Sequence, residues 1–476
     1  MRRTLFLNPP SFAGFDGGAG ARYQARREIR SFWYPTWLAQ SAALVPDSRL
    51  VDAPPRGMTR EDVVALADDF ELAVLYTSTP SLGADLRVAE ALKEANPRLI
   101  AGLVGPPVVT SPAQALGASG AIDFVAGNEF ELTIQEIAAG RPLAQVDGIS
   151  YRAHGQIVRN RPRAVLEDMD RLPHVVDVYR RDLVIEDYYV GELLHPYVSF
   201  YTGRGCKSRC TFCLWPQTIG GHRYRTRSVE DVVAEVAKVQ RYFPQVKEVM
   251  FDDDTLTDDL AHAEGVARGM GELGMTWSCN AKANVPYQTL KVLRANGLRM
   301  MVVGYESGNQ QILHNIKKGM RVERARQFSA DCHELGIALH GTFVVGLPGE
   351  TAQTIQETIR FAKEVNPHTI QVALAAAYPG TALHEQARRE GWLREAAADG
   401  GLVGDGGMQV SSLAYPHLSH GEIFDAVAEF YRRFYLRPSK VLEITREMVR
   451  DGAMLRRRLR EAGEFFRFLA ARADRP

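Results

Sequence analysis

Short apolar runs closed by turn residues alternate with amphipathic stretches along most of the chain. Residues 4–8 (TLFLN) are apolar and stop at Pro9-Pro10; residues 72–80 (LAVLYTSTP), 98–107 (RLIAGLVGPP) and 121–127 (AIDFVAG) repeat the pattern. Between the last three lie helical stretches such as 82–97 (LGADLRVAEALKEANP). Strands alternating with helices predict a parallel sheet covered on both faces. Residues 148–162 read as a hairpin with His154-Gly155 near its turn. Residues 166–183 (LEDMDRLPHVVDVYRRDL) are charged, lack a clear period, and read as a linker.

A second alternating series begins near Tyr197. Its predicted strands are 197–203, 248–253, 276–282, 299–307, 339–348 and 369–377, with helical patterns between them such as 228–243 and 351–365. Six β/α units predict a parallel barrel, full or partial, rather than a sandwich. In such folds chemistry gathers at the C-terminal strand ends. The polar motifs GRGC, DDDT, NAKAN, GYESG and GLPGET fall there. The glycine-rich stretch 399–407 marks a further boundary, and a helical tail follows it. The expected α/β organisation is a doubly wound domain over 1–160, a linker over 161–195, a barrel over 196–395 and a helical C-terminal region over 396–476.

Length and composition narrow the function classes. A chain of 476 residues has room for two or three cored domains. Lysine and arginine (57) balance aspartate and glutamate (57), which argues against a dedicated nucleic-acid binder. No apolar run approaches the ~20 residues that span a bilayer. The start, MRRTLFLNPP, has too brief an apolar core for a signal peptide, so the expected location is cytoplasmic. Five cysteines in so long a chain are no disulfide scaffold; an odd, clustered set reads as metal ligation.

Three of the five cysteines, Cys206, Cys210 and Cys213, lie within eight residues directly after a predicted strand. Three thiolates can converge on one centre, and their softness favours iron–sulfur or zinc. Three ligands leave a position open for a small molecule, which points to catalysis. The competing reading is a structural Cys3His zinc site with His222 as fourth ligand; structural zinc ligands more often come as two close pairs. Cys279 and Cys332 stand alone and read as small buried hydrophobes.

The segment Cys206-Lys-Ser-Arg-Cys210-Thr-Phe-Cys213 resembles the signature of the radical S-adenosylmethionine (SAM) superfamily. The resemblance implies a 4Fe–4S cluster held by the three cysteines, its fourth iron chelated by SAM. It also implies reductive cleavage of SAM to a 5′-deoxyadenosyl radical that abstracts hydrogen from a substrate, with the cofactor carrying the hard chemistry. A flavodoxin- or ferredoxin-type donor would supply the electron. Phe212 resembles the aromatic near the SAM adenine. Asp252, Asp253 and Asp254 stand where many members have Gly-Gly-Glu for the SAM amine, and an acidic group there can accept from an ammonium; which of the three serves is open. Glu306 resembles the residue that meets the ribose hydroxyls, and the segment with Gly341 and Gly346 resembles the adenine motif, its glycines allowing close backbone approach. Each acidic residue also reads as a strand-end or helix-capping carboxylate. The resemblance does not single out a catalytic residue.

Residues 1–160 resemble the cobalamin-binding-like domain that precedes the barrel in one radical SAM class. The departures are specific: no Asp-x-His-x-x-Gly is present, Pro107 replaces the histidine of Gly-Gly-Pro-His, and GNEFE (127–131) replaces Gly-Glu-Gly-Glu. Cobalamin binding therefore stands beside an inherited domain that only shapes the cleft. Residues 2–40 with 47–57, and a likeness along the whole chain, resemble the hopanoid-biosynthesis-associated radical SAM proteins. That resemblance implies a hopanoid glycolipid substrate, a bacteriohopanetetrol-linked amino sugar, ring-contracted into a cyclitol ether. The alternatives are a cobalamin-dependent radical SAM methyltransferase acting on a lipid or other small molecule, and a non-catalytic zinc-bound scaffold. From Arg432 to Pro476 the chain has 13 Arg/Lys against 6 Asp/Glu, with Phe465, Phe466, Phe468 and Leu469 among them. Such a helix suits peripheral contact with the inner membrane face; the other reading packs its phenylalanines on the barrel.

Overall fold

The computed structural model describes residues 1–12, 25–394, 401–404, 407–450 and 452–473. The first apolar run forms β1 (Thr4–Asn8), buried throughout. It pairs in parallel with β2 (Ser48–Asp52) and with β3 (Leu72–Tyr76). β4 (Ile100–Val104) and β5 (Phe124–Ala126) extend the parallel sheet. The hairpin β6 (Ile149–Ala153) and β7 (Gln156–Arg159) closes it antiparallel, giving the order β2-β1-β3-β4-β5-β6-β7. Burial on both faces explains why the parallel strands read as unbroken apolar runs. β2 was missed because Ser48 and Arg49 interrupt that run.

The second sheet is wholly parallel. It comprises β8 (Tyr197–Phe200), β11 (Glu248–Phe251), β12 (Trp277–Ala281), β13 (Leu298–Glu306), β14 (Ala338–Val345) and β15 (Thr369–Leu374), in chain order. It curls into a half-barrel, β8 and β15 remaining its edges. Between β8 and β11 a short antiparallel pair, β9 (Gly203–Arg204) and β10 (Arg225–Thr226), brackets the cysteine loop. Amphipathic helices cover the outside: Val229–Tyr242 starts on a Ser228 cap and Ala352–Val365 on a Thr351 capping box.

Two segments differ from the sequence reading. The stretch read as a linker contains the helix Val175–Asp182, which buries Val175, Val176, Val178 and Tyr179. Its charged residues hid an apolar face only two turns long. Residues 25–34 leave the first domain and lie along the barrel: Phe32 N donates to Tyr189 O (2.8 Å), and Tyr34 hydroxyl donates to Tyr197 O (2.8 Å). The tail forms the helices His420–Tyr435, Pro438–Arg450 and Gly452–Ala473. Phe468 and Leu469 are buried and Phe465 packs edge-on against Tyr431 and Tyr435, whereas Phe466 is exposed. Of the glycine-rich stretch, 399, 400, 405 and 406 lie outside the described residues, as do 13–24. No helix among the described residues is long and apolar enough to cross a membrane.

Candidate active site

The site forms at the C-terminal ends of β8, β11, β12 and β13, where the backbone leaves the sheet and side chains turn inward. The cysteine loop departs from β8 through Gly203–Arg204 and is gripped from the first domain. Arg204, two residues before Cys206, is ion-paired with Glu131 and lies 3.6 Å from Glu129, and its guanidinium stacks 4.1 Å over the Trp37 ring. Glu129 also binds Arg225 on β10. The two carboxylates of GNEFE thus hold both strands that flank the loop.

Cys206, Cys210 and Cys213 line one cavity of about 310 Å³. Burial pushes the Cys210 and Cys213 thiols upward, and the neighbouring sulfurs add to it. Thiols held this way are poor free nucleophiles. Cys206 Sγ lies 3.7 Å from Thr255 Oγ1. His222 lines the same cavity, with Nδ1 2.8 Å from Ser208 O. Among the described residues no group of three or more His, Cys, Asp or Glu could hold a single metal ion. Cys279 and Cys332 are buried in β12 and the helix Val322–Glu334.

The three aspartates after β11 have different positions. Asp253 is fully buried and engaged: it accepts from Thr202 N (2.6 Å), Thr202 Oγ1 (2.5 Å) and Tyr224 hydroxyl (2.6 Å). Burial pushes its carboxyl up to about 6 against the pull of those bonds. Asp252 accepts from Asn280 Nδ2 (3.0 Å) and does not line the cavity. Asp254 lines it, accepting from Gly205 N (3.2 Å) at the base of the cysteine loop.

Glu306 ends β13 across the cavity. A register shift between Gly304 and Glu306 interrupts the pairing with β14, and Glu306 takes φ +61°. Positive φ is uncommon in a non-glycine residue, and such a bulge re-aims a side chain. Lys318 Nζ donates to Glu306 Oε1 at 2.6 Å, both side chains being largely buried (13 % and 9 % exposed). Burial would lower the Lys318 ammonium, but Glu306, Cys210 and Cys213 overcome it and hold it above its ordinary range. Gly304 leaves room for this pair: a Cβ there would collide with Glu306 Oε1 and sit 2.8 Å from Lys318 Nζ.

Phe212 lines the cavity as well. Gly341 and Gly346 do not. A Cβ at Gly341 would press on Pro367 (3.0 Å) and on the Phe343 ring (3.2 Å), and one at Gly346 (φ +88°) on Ile423 (2.7 Å), so both glycines allow close packing. The β14 residues that reach it are Thr342, Phe343 and Val344. Sequence reasoning missed Lys318, which carries no motif beyond lying twelve residues after Glu306, and Arg27 and Trp33, which reach the cavity from the first-domain segment.

Comparison with known proteins agrees with this geometry. Residues 200–362 match the family profile described as the radical SAM superfamily. An uncharacterized methyltransferase of Pyrococcus horikoshii is 27 % identical over 88 % of this chain and 91 % of its own length. The anaerobic magnesium-protoporphyrin IX monomethyl ester cyclase of Rubrivivax gelatinosus is 25 % identical over 91 % of this chain and 77 % of its own. Among solved structures, the radical SAM methyltransferase TsrM of Kitasatospora setae, solved with cobalamin and a [4Fe-4S] cluster, superposes with TM-score 0.67 at 16 % identity, over 92 % of this chain and 90 % of that one. OxsB, a cobalamin-dependent SAM radical enzyme, gives TM-score 0.69 at 14 % identity, over 96 % of this chain and 72 % of that one.

The donor set fits a 4Fe–4S cluster with SAM: three thiols around one cavity, no fourth cysteine, and carboxylates on two sides for a ligand bearing an ammonium and hydroxyls. A cobalamin held through a protein imidazole does not fit the first domain. Its single histidine before residue 161 is His154, at the hairpin turn between β6 and β7 with φ +49°. The half-barrel of this chain is thus similar, through residues 200–362, to the radical SAM superfamily.

Proposed function

We propose that this protein is a radical SAM enzyme of the methyltransferase-like kind, acting on a small molecule that enters the cysteine cavity. The observation that carries the reading is the meeting of three thiols, Asp254, Glu306 and Lys318 on one cavity, in a chain whose two-domain likeness to an uncharacterized methyltransferase is nearly full length. A 4Fe–4S cluster and SAM bound there supply reductive cleavage of the sulfonium carbon–sulfur bond, with the electron from a flavodoxin- or ferredoxin-type donor.

The chain's residues have these roles in the reading. Cys206, Cys210 and Cys213 give up their protons to hold the cluster. Asp254 accepts from the SAM ammonium; Asp252 and Asp253 hold the turn that presents it. Glu306, fixed by Lys318, accepts from the ribose hydroxyls. Phe212 would contact the adenine, and the β14 residues Thr342, Phe343 and Val344, which line the cavity, would supply the adenine contact expected of that strand.

A second reading, ring contraction of a bacteriohopanetetrol-linked amino sugar, rests on the sequence resemblance and on one observation, the exposed apolar side chains of the C-terminal helices, which suit a membrane-borne substrate. One anaerobic experiment tests both. Reconstituted protein is given SAM, a strong reductant, cobalamin in one arm, and glucosaminyl-bacteriohopanetetrol. A methylated product with S-adenosylhomocysteine supports methyl transfer. 5′-Deoxyadenosine with a lipid isomer of unchanged mass supports ring contraction and overturns methyl transfer. No SAM cleavage with a verified cluster overturns both.

A further inference from the structure

A second cavity, of about 320 Å³, lies at the other mouth of the half-barrel. Its walls are the first residues of β15, Thr369 and Ile370, and the facing sides of the two last helices, including Ile444, Met448, Ala462 and Phe465. Its volume is that of a small-ligand site, roughly 300–1,000 Å³. Arg27, Glu192 and His340 line both this cavity and the cysteine cavity, so one layer of side chains separates the two. Arg27 pairs with Glu192 at 3.4 Å, and His340 lies 3.7 Å from the same carboxylate.

Two features point to an occupant. Arg27, only 7 % exposed, has Nε buried without a hydrogen-bond partner, and so has Arg458, which pairs through its other nitrogens with Glu447 and Glu461. A buried N–H donor left unpaired is costly and calls for an acceptor oxygen. The carboxylates of Glu28, Glu192, Glu443, Glu447 and Glu461 also line the cavity, which disfavours an anionic head and favours a hydroxyl or carbonyl oxygen. Exposed apolar side chains concentrate in the C-terminal region: of ten large hydrophobic side chains exposed among the described residues, six fall between Leu436 and Phe466, and three of these, Leu436, Val441 and Phe466, line the cavity itself.

We infer that this lower cavity is a binding site for a neutral lipid, a long apolar chain with a hydroxyl- or carbonyl-bearing head, held apart from the cysteine cavity by the Arg27–Glu192–His340 layer. The inference is independent of the reaction proposed above. Its test is titration of delipidated full-length protein with a fluorescent monoacylglycerol, with unlabelled monooleoylglycerol as competitor. Saturable one-to-one binding is expected, weakened at least tenfold in Ala462→Phe and in Ile444→Phe, which fill the cavity from opposite helices, while thermal midpoint and SAM binding stay as in the parent. Absence of saturable binding, equal binding in well-folded filled variants, or stronger competition by oleate than by monooleoylglycerol would overturn it. Adsorption to phosphatidylglycerol vesicles without capture of the monomeric probe would overturn it too, showing a surface contact instead of a cavity.

Discussion

Lys318→Met isolates the least legible part of the site. It removes the cation 2.6 Å from Glu306 Oε1 and leaves the carboxylate largely buried at a bulge that fixes its direction. At an effective dielectric of 20 the gross attraction across 2.6 Å is about 6 kcal/mol. Desolvation of two ions cancels much of that, but removing one partner exposes the other's penalty, for which about 3–5 kcal/mol is typical. For a domain of the barrel's size this corresponds to a Tm lower by roughly 6–20 °C. Glu306→Gln/Lys318→Met should recover more than half of the loss, since it leaves no unpaired charge. Gly304→Ala should reproduce part of the single-variant effect without touching either charge, because its Cβ occupies the space of the pair. The assay is thermal unfolding of the apo protein by near-ultraviolet circular dichroism at pH 7.5. A Lys318→Met midpoint within 2 °C of the parent would refute the claim that this pair is buried and coupled. A double variant no better than the single would do so as well.

Other outcomes follow from the same geometry. Cys206→Ala, Cys210→Ala and Cys213→Ala should each abolish cluster absorbance and 5′-deoxyadenosine formation, whereas Cys279→Ala, buried in β12, should keep the iron content; a loop-cysteine variant with full SAM cleavage would sink the assignment. Asp254→Asn should weaken SAM binding about tenfold, the scale of one charge-assisted hydrogen bond, with little change in Tm; Asp253→Asn should do the reverse, because its three acceptor contacts hold Thr202 and Tyr224 and do not face the cavity. Calorimetry on both variants separates these outcomes. Glu350 is fully buried, its carboxyl pushed up to about 7 by burial despite bonds from Gly346 N and Leu347 N. A raised acid pKa contributes stability below the unfolded value near 4.5 that is lost as pH rises to about 7, about 3 kcal/mol in all. Glu350→Gln should flatten that part of the pH–stability curve, and an unchanged slope between pH 4.5 and 7 would contradict the burial argument.

The parallel strands were legible because burial on both faces writes them as unbroken apolar runs, and their C-terminal ends were legible as the polar motifs that follow. The spacing of the three cysteines anticipated that they line one cavity. What failed was anything that depends on three-dimensional approach. Three consecutive aspartates have the same sequence signal, yet one faces the cavity, one holds Thr202 and Tyr224, and one meets Asn280. Gly341 and Gly346 sit in a recognisable motif but do not line the cavity; a Cβ at Gly341 would press on Pro367 and Phe343, and one at Gly346 on Ile423. Lys318 needed the fold of the loop after β13 to bring it back to Glu306. Arg27 and Trp33 lie far from the barrel in sequence and reach its interior because residues 25–34 run along it.

The first domain has a function in this architecture that does not depend on a second cofactor. Its Glu129 and Glu131 bind Arg204 and Arg225, the residues that bracket the cysteine loop. All four side chains are buried, so any displacement of the domain would leave unpaired charges in the interior, an arrangement that is costly to break. Tyr34, Tyr179, Tyr188 and Tyr197 pack ring to ring along the same junction, adding apolar burial with no solvent-screened term. The cysteine loop is therefore positioned as much by the first domain as by β8. The first domain offers no Asp-x-His-x-x-Gly histidine for cobalamin, yet it remains integral to the site, since without its carboxylates the cysteine loop would lose both of its arginine anchors.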